Sequence, residues 1–448
     1  MIARLAVAAL ALICLVAGAA GPARAVAIEP VESTGGVKAW LVEDHTLKLV
    51  SLRLEFRGGA ALDPAGKEGL ATLVSGLLDE GAGDLDGNAF HGRMEDLAAS
   101  YNADADLDNF SVSLRVQSAN LDAAAALLHL ALTAPRFEPA AVARIKGDIL
   151  SDIAAENEQP NHIAQLLWWR GVFGDHPYGR AVLGTPDSVG RIELADLRNF
   201  VHDRFARDDL LIGAVGDITP DALKALLDRL LAGLPTKSAP DNVPEAKPAT
   251  PNETMLSRVA VPQSAAMFGE NGIKRDDPDW YAAILVMHIL AGGGFDARLT
   301  EEVRVKRGLA YSVSADLEPL DHAGLIVGDV ATQNARVAQS LDVIRAQWAR
   351  MRDEGPTDAE LKAAKTYITG SFPLNLDSSM RLAGLLVTIQ RDGLGLDYLD
   401  RRSALFESVT LDHAKQVARR LLDPDHLFFV VVGSPENLPD AKPAPALE

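Results

Sequence analysis

Apolar positions mark helices and strands along the chain, and the clearest run lies between Gly69 and Asp79. There Leu70, Leu73, Val74, Leu77 and Leu78 fall at helical spacing beneath a polar face of Thr72, Ser75, Gly76 and Asp79. The pattern predicts an amphipathic helix with one buried face. Val50–Arg57 alternates as a strand, Gly66–Asp79 and Asn88–Ser100 read as helices, and Ala103–Gln117 reads as a hairpin-like strand pair. Ala123–Ala134 and Pro139–Asn157 follow as helices, the second with Val142, Ile145, Ile149 and Ile153 in one stripe. Strands and helices alternate without a strict βαβ rhythm, so the expected class is α+β, in layers, and not a doubly wound sheet.

The same grammar then recurs after roughly 200 residues. A helix over Leu194–Phe205 leads into Arg207–Ile218, and a helix over Leu411–Leu422 leads into Asp423–Ser434. Each ending is a polar turn, a β-rich run and a glycine stop. Between the halves, Pro235, Pro240, Pro244, Pro248 and Pro251 exclude a helix or central strand, which makes residues 235–251 a linker. Two domains are expected, at residues 28–234 and 252–436. Residues 437–448, rich in Pro and Ala from Pro439 on, are expected to form a loose tail.

In the second half, Phe295 to Arg307 reads as a helix with Leu299 and Val303 on its apolar face and a stop at Gly308. Leu309–Val313 then turns into a strand. Arg304 falls in the last helical turn and Tyr311 on the strand, an arrangement able to bring both to one edge of a cavity. Guanidinium and phenol are donors suited to a carbonyl that gains charge. The plainer alternative is a dipole contact for Arg304 and a packing role for Tyr311. Gly292-Gly293-Gly294 lacks the lysine and hydroxyl of a phosphate loop and reads as a break between helices.

Charge and the N-terminus narrow the function. The formal charge of −19 argues against nucleic acid, which needs clustered Lys and Arg. Arg4, an apolar run from Leu5 to Ala20 and the small-residue end Ala23-Arg24-Ala25 predict a cleavable signal over residues 1–25, hence a periplasmic or secreted protein. Cys14, the single cysteine, would leave with it, so the mature chain has neither disulfides nor cysteine metal ligands. No G-x-S-x-G elbow is present.

Several blocks resemble the insulinase/pitrilysin (inverted zincin) metallopeptidases across nearly the whole mature chain. They include the Gly69-Leu70-Ala71 helix start, His176-Pro177-Tyr178-Gly179-Arg180, Gly184-Thr185, Leu197–Phe200 and Val215-Gly216-Asp217. In the second half they include Arg275–Pro278, Gly292–Phe295, Arg304–Tyr311, Gly370–Pro373 and Leu396–Leu399. The resemblance is to the short two-domain members that work as dimers, among them mitochondrial processing peptidase subunits. The resemblance implies two homologous α+β domains, each a mixed or antiparallel sheet with helices, in a clamshell-like arrangement, and a paired subunit that completes the chamber.

The family's zinc helix reads Gly-Leu-Ala-His-x-x-Glu-His. Laid on it, Thr72 and Gly76 take the ligand positions and Ser75 the general base, while Asp152 (or Ser151) falls where a glutamate ligand would come from a later helix. A catalytic zinc wants about three protein ligands plus water, and these residues cannot supply them. His91 and Glu95, with His176 nearby in sequence, offer a rescue, but His91 with Glu95 supplies one imidazole where the family has two. The resemblance therefore implies a degenerate site that binds no cofactor, with zinc in a homologous partner subunit. Arg304 and Tyr311 would reach that partner's site and hold an extended peptide. The alternatives are an inert peptide-binding or structural member, and a self-sufficient peptidase with an unrecognised metal site.

Overall fold

The protein is described by a computed structural model over residues 26–292 and 294–446. The expected signal segment, Cys14 and Gly293 lie outside these residues. In chain order the strands of the first half are β1 (Glu29–Glu32), β2 (Lys38–Glu43), β3 (Leu49–Arg57), β4 (Gly81–Ala82), β5 (Leu85–Asp86), β6 (Ser100–Ala105), β7 (Asn109–Gln117) and β8 (Leu211–Gly216). The second half adds β9 (Thr254–Arg258), β10 (Gln263–Asn271), β11 (Ala310–Pro319), β12 (Gly324–Gln333), β13 (Phe428–Gly433) and β14 (Lys442–Pro443). They form two mixed six-stranded sheets, ordered β1-β2-β8-β3-β7-β6 and β11-β12-β10-β13-β9-β14, with β4 and β5 as a separate short pair. The expected α+β class is found.

Each half lends a helix to the other's sheet. Helix Pro160–Phe173 of the first half lies on the second sheet, where the Trp168 indole N–H donates to the Phe428 carbonyl at 3.2 Å. Helix Ser379–Arg391 of the second half lies on the first sheet, where the Gln390 amide donates to the Ile212 carbonyl at 3.0 Å. A glycine opens the way in each case. A Cβ on Gly213 of β8 would stand 2.2 Å from the Ala383 carbonyl oxygen, and one on Gly269 of β10 would stand 2.7 Å from Trp168. Trp168 is thus core between the halves. Pulling the halves apart would expose both apolar seams, so the exchange fixes their relative position.

No helix or strand is assigned between Leu230 and Thr254, but the segment is tied down. The Ala239, Ala246 and Ala249 amides donate to the Asp203, His322 and Val172 carbonyls. The tail departs from expectation. Lys442 and Pro443 pair with Met255 and Leu256 as an edge strand, and the Ala444 amide donates to the Leu256 carbonyl at 2.9 Å. Proline is tolerated there because an outer edge asks no N–H of it. The helix expected over Asn88–Ser100 runs Gly87–Asp96, because Ala98 takes a left-handed φ of 48° and turns the chain into β6.

Candidate functional site

The segment expected as a helix from Gly69 to Asp79 is helical only over Leu70–Ser75. Gly69, at φ 92°, starts it and Gly76 ends it, after which Leu77 and Leu78 stay buried in a turn. The apolar stripe was read correctly and its winding was not. Asp63 secures the start, its carboxylate accepting the backbone N–H groups of Gly69 (2.9 Å), Leu70 (2.9 Å) and Ala71 (3.0 Å). Burial pushes this carboxyl up to about 7, against the pull of those three bonds. Asp63 reaches the helix from six residues before Gly69, so the usual adjacent cap signal is missing from the sequence.

The polar face of this helix is closed to chemistry. The Thr72 hydroxyl donates to the Val182 carbonyl at 2.9 Å, and the Ser75 hydroxyl donates to the Thr72 carbonyl at 2.8 Å. A Cβ on Gly76 would come within 3.1 Å of Ile145 Cγ2, so an apolar side chain from helix Pro139–Glu156 fills the space a histidine would need. Asp152 lies two turns past Ile145 on that helix, exposed and without a hydrogen bond or ion pair among the described residues. Ser151 donates to its own helix at the Gly147 carbonyl. Zinc does not fit these residues, since no imidazole is present and the hydroxyls are already engaged.

The rescue residues do not assemble either. His91 pairs with Asp79 at 3.2 Å, and Glu95 is an exposed residue of the same helix. His176 bonds the Pro244 carbonyl at 2.8 Å and the Tyr178 amide at 3.2 Å, which makes it part of a turn. Among the described residues Asp79, Glu80 and His91 are the group close enough to share a cation, a trio the sequence reading missed. Glu80 is held by Arg144, so this trio is internally satisfied. Beside the degenerate helix a cavity of about 700 Å³ is lined by Ile153, Glu156, His162, Leu166, Trp169 and Val182. His162 and Glu156 pair across it at 3.2 Å.

In the second half Arg304 and Tyr311 do meet. The guanidinium carbon stands 4.5 Å from the centroid of the Tyr311 ring, which is 81% exposed. The segment between Phe295 and Arg307 is not the regular helix expected. A 3₁₀ turn over Gly294–Asp296 leads to a π-helix over Thr300–Val305, marked by the Lys306 amide bonding the Glu301 carbonyl five residues back. Gly308, at φ 58°, stops it, with its amide on the Arg304 carbonyl and the Leu309 amide on the Val303 carbonyl. The wider turn aims Arg304 toward β11, the outer strand that carries Tyr311.

The edge strand β6 alternates exposed Ser100, Asn102 and Asp104 with half-buried Tyr101, Ala103 and Ala105. The three aspartates of this edge, Asp104, Asp106 and Asp108, are each engaged. Asp106 accepts the Asp108 and Asn109 amides and makes the turn, while Asp108 accepts the Tyr178 hydroxyl at 2.5 Å and the Asp321 amide at 3.0 Å. Asp104 pairs with Arg53 at 3.3 Å. From β11, Glu318 restores part of the acidity. Burial and then the neighbouring charges of Asp106, Asp108 and Asp316 hold its carboxyl above the ordinary range.

Known proteins match this arrangement. The family description "Insulinase (Peptidase family M16)" matches residues 38–186, and "Peptidase M16 inactive domain" matches residues 191–368. The uncharacterized zinc protease Rv2782c of Mycobacterium tuberculosis is 30% identical over 306 residues, covering 65% of this chain and 67% of that protein. The chain belongs to the insulinase (M16) family. The non-peptidase homolog YmxG of Helicobacter pylori is 28% identical over 396 residues, 88% of this chain and 90% of that protein. A crystal structure titled as the peptidase M16 inactive domain from Pseudomonas fluorescens superposes with a TM-score of 0.86 at 29% identity, covering 93% of this chain and all of that one. Within this family, the positions of the zinc helix are here taken up by packing and hydrogen bonds inside the chain.

Proposed function

We propose that this chain is the non-zinc subunit of a periplasmic or secreted M16 peptidase. It lends Arg304 and Tyr311 to the active site of a homologous subunit that carries the zinc. One observation carries the reading: the zinc-helix positions are filled and hydrogen-bonded within the chain, while Tyr311 stands 81% exposed with Arg304 against its ring. A guanidinium and a phenol side by side offer N–H and O–H donors to a substrate carbonyl as it becomes an oxyanion. An extended peptide would add to the β6 edge and place a side chain in the neighbouring cavity.

The test is to mix the chain with a homologue that carries an intact His-x-x-Glu-His. Peptide hydrolysis is expected only from the mixture and falls when Arg304→Ala is used. Equal activity of the zinc subunit alone would overturn the proposal.

A second reading, an inert peptide-binding or structural member, is favoured by the stacking of Arg304 on Tyr311 inside one chain, which already gives the cation a partner. It expects Arg304→Ala and Tyr311→Phe to leave the mixture's activity unchanged.

A further inference from the structure

A second cavity, of about 400 Å³, lies in the other half, away from Arg304 and from the degenerate helix. Its polar lining includes Thr250, Glu270, Asp277, Arg420, Asp423 and His426. Two of these are buried to an unusual degree. Glu270, on the central strand β10, is 2% exposed, and Thr250, at the end of the linker, is 5% exposed. The Thr250 hydroxyl has no hydrogen-bond partner among the described residues. A buried hydroxyl without a partner has lost its water and gained nothing in return, so a ligand that bonds it relieves that cost.

The charge of the lining selects the ligand. Glu270 accepts the Trp348 indole N–H and the Asp423 amide (2.9 and 3.1 Å), but makes no ion pair among the described residues. Asp423 pairs with His426 at 2.7 Å, and Arg420 bridges Asp277 and Asp279 at 2.8 and 3.2 Å. Glu270, Asp277 and Asp423 thus face one arginine and one histidine, so the cavity carries net negative charge once Glu270 is ionised. The carboxylates do not converge as metal ligands do, because the group that converges among the described residues is Asp79, Glu80 and His91. The volume also suits a molecule of several heavy atoms better than a bare ion.

We propose that this cavity binds a small organic cation, a primary ammonium or guanidinium compound, whose N–H groups donate to Glu270 and Thr250. An ammonium brings three donors and a guanidinium five, while both residues accept. Glu270 also makes the site responsive to pH. Burial pushes its carboxyl up to about 8, the Trp348 and Asp423 bonds pull it down, and the charges of Asp423 and Arg352 act in opposite senses. A bound cation favours the ionised form, so binding near neutrality expels a proton and strengthens as the pH rises through about 8. The proposal is independent of the role of Arg304.

Calorimetric titration of the mature chain with agmatine, and separately with putrescine, tests it. Saturable binding with Kd below about 1 mM is expected, weakened about tenfold or more by Glu270→Gln and about fivefold by Thr250→Val. At pH 7 the heat should vary with the ionisation enthalpy of the buffer, reporting the released proton. Thr250→Val changes one hydroxyl to a methyl and guards against a fold lost in Glu270→Gln. No saturable heat with either amine, or unchanged affinity in folded Thr250→Val, would overturn the assignment. Tighter binding of calcium or zinc than of agmatine at this cavity would overturn it equally.

Discussion

The helical turns Leu70–Ser75 and Thr300–Val305 are both short and each is followed by a glycine, Gly76 in one and Gly308 in the other, beside an outer strand, yet they face opposite ways chemically. The first turns its polar groups inward, with Thr72 on Val182, Ser75 on Thr72 and Ile145 against Gly76. The second carries Arg304 onto the ring of a tyrosine that is open to solvent. One is closed by packing within the chain, and the other ends beside a ring open to solvent. The frame of the first helix is held by Asp63 and the apolar stripe and needs no metal ligand, so the fold of such a helix and its chemistry are separate matters.

The largest expected effect tests the first helix as packing. Asp63→Ala strands three buried N–H donors, and the loss should be about 3 kcal/mol in urea unfolding, whereas Arg304→Ala should cost under about 0.5 kcal/mol. The same carboxyl gives a pH signature. Its folded pKa of about 7 lies above the ordinary 3.8, so the native state holds a proton that the unfolded state releases. Its contribution is thus fully present below about pH 4 and is lost as the pH rises through about 7. Asp63→Asn should flatten this part of the profile, and an unchanged slope between pH 4 and 7 would show that the three N–H bonds keep the group ionised.

Function is expected to move the other way. In the mixture with a zinc-bearing homologue, Arg304→Ala should lower the rate of peptide hydrolysis about 100-fold, the scale of losing one oxyanion donor. Tyr311→Phe should cost about tenfold, and the zinc content should not change. Thr72→Ala should alter the rate less than twofold, about the limit of a remote packing change. Parity between the Arg304 and Thr72 variants would erase the contrast between the two helices.

Restoring the motif asks whether the first site is merely unligated or also filled. Thr72→His with Ser75→Glu and Gly76→His should cost about 1–3 kcal/mol by overpacking against Ile145. Metal analysis should find no stoichiometric zinc in that variant. Adding Ile145→Ala and Asp152→Glu makes room and supplies the missing carboxylate, so zinc uptake should begin only then. Stoichiometric zinc in the triple variant alone would show that Ile145 yields freely.

Much of this was legible in the sequence because it rests on local pattern. The stripe of Leu70, Leu73 and Val74, the hairpin of β6 and β7, and the Gly308 stop each follow from spacing. The closure of the zinc positions was only half legible. Residue identities gave the missing imidazoles, but the Ile145 contact joins positions 69 residues apart and has no local mark. The π turn before Gly308 escaped because its apolar spacing, Leu299 to Val303, equals that of an ordinary helix. The tail escaped because Pro443 can occupy an outer strand that composition alone counts against.

The smallest effect expected concerns how peptides are held between the two edges. The fate of Asp106 and Asp108, one making a turn and the other bonded to Tyr178, leaves Asp104 beside Arg53 as the acid of β6 proper. Across from it, Glu318 and Asp316 on β11 reach solvent but are partly desolvated by their neighbours, which holds both carboxyls above their ordinary range, and neither makes an ion pair among the described residues. A lysine or arginine of an extended peptide would relieve that mutual repulsion, so a basic peptide should bind better than an acidic one. The attraction acts at a wet edge and should weaken between low and high salt, since charges more than about 8–10 Å apart are screened at physiological ionic strength. Glu318→Gln should lower the affinity for a labelled Lys/Arg-rich peptide only about twofold to threefold, the scale of an exposed ion pair. Equal binding of basic and acidic peptides would leave these acids as guards of two open sheet edges against pairing with other chains.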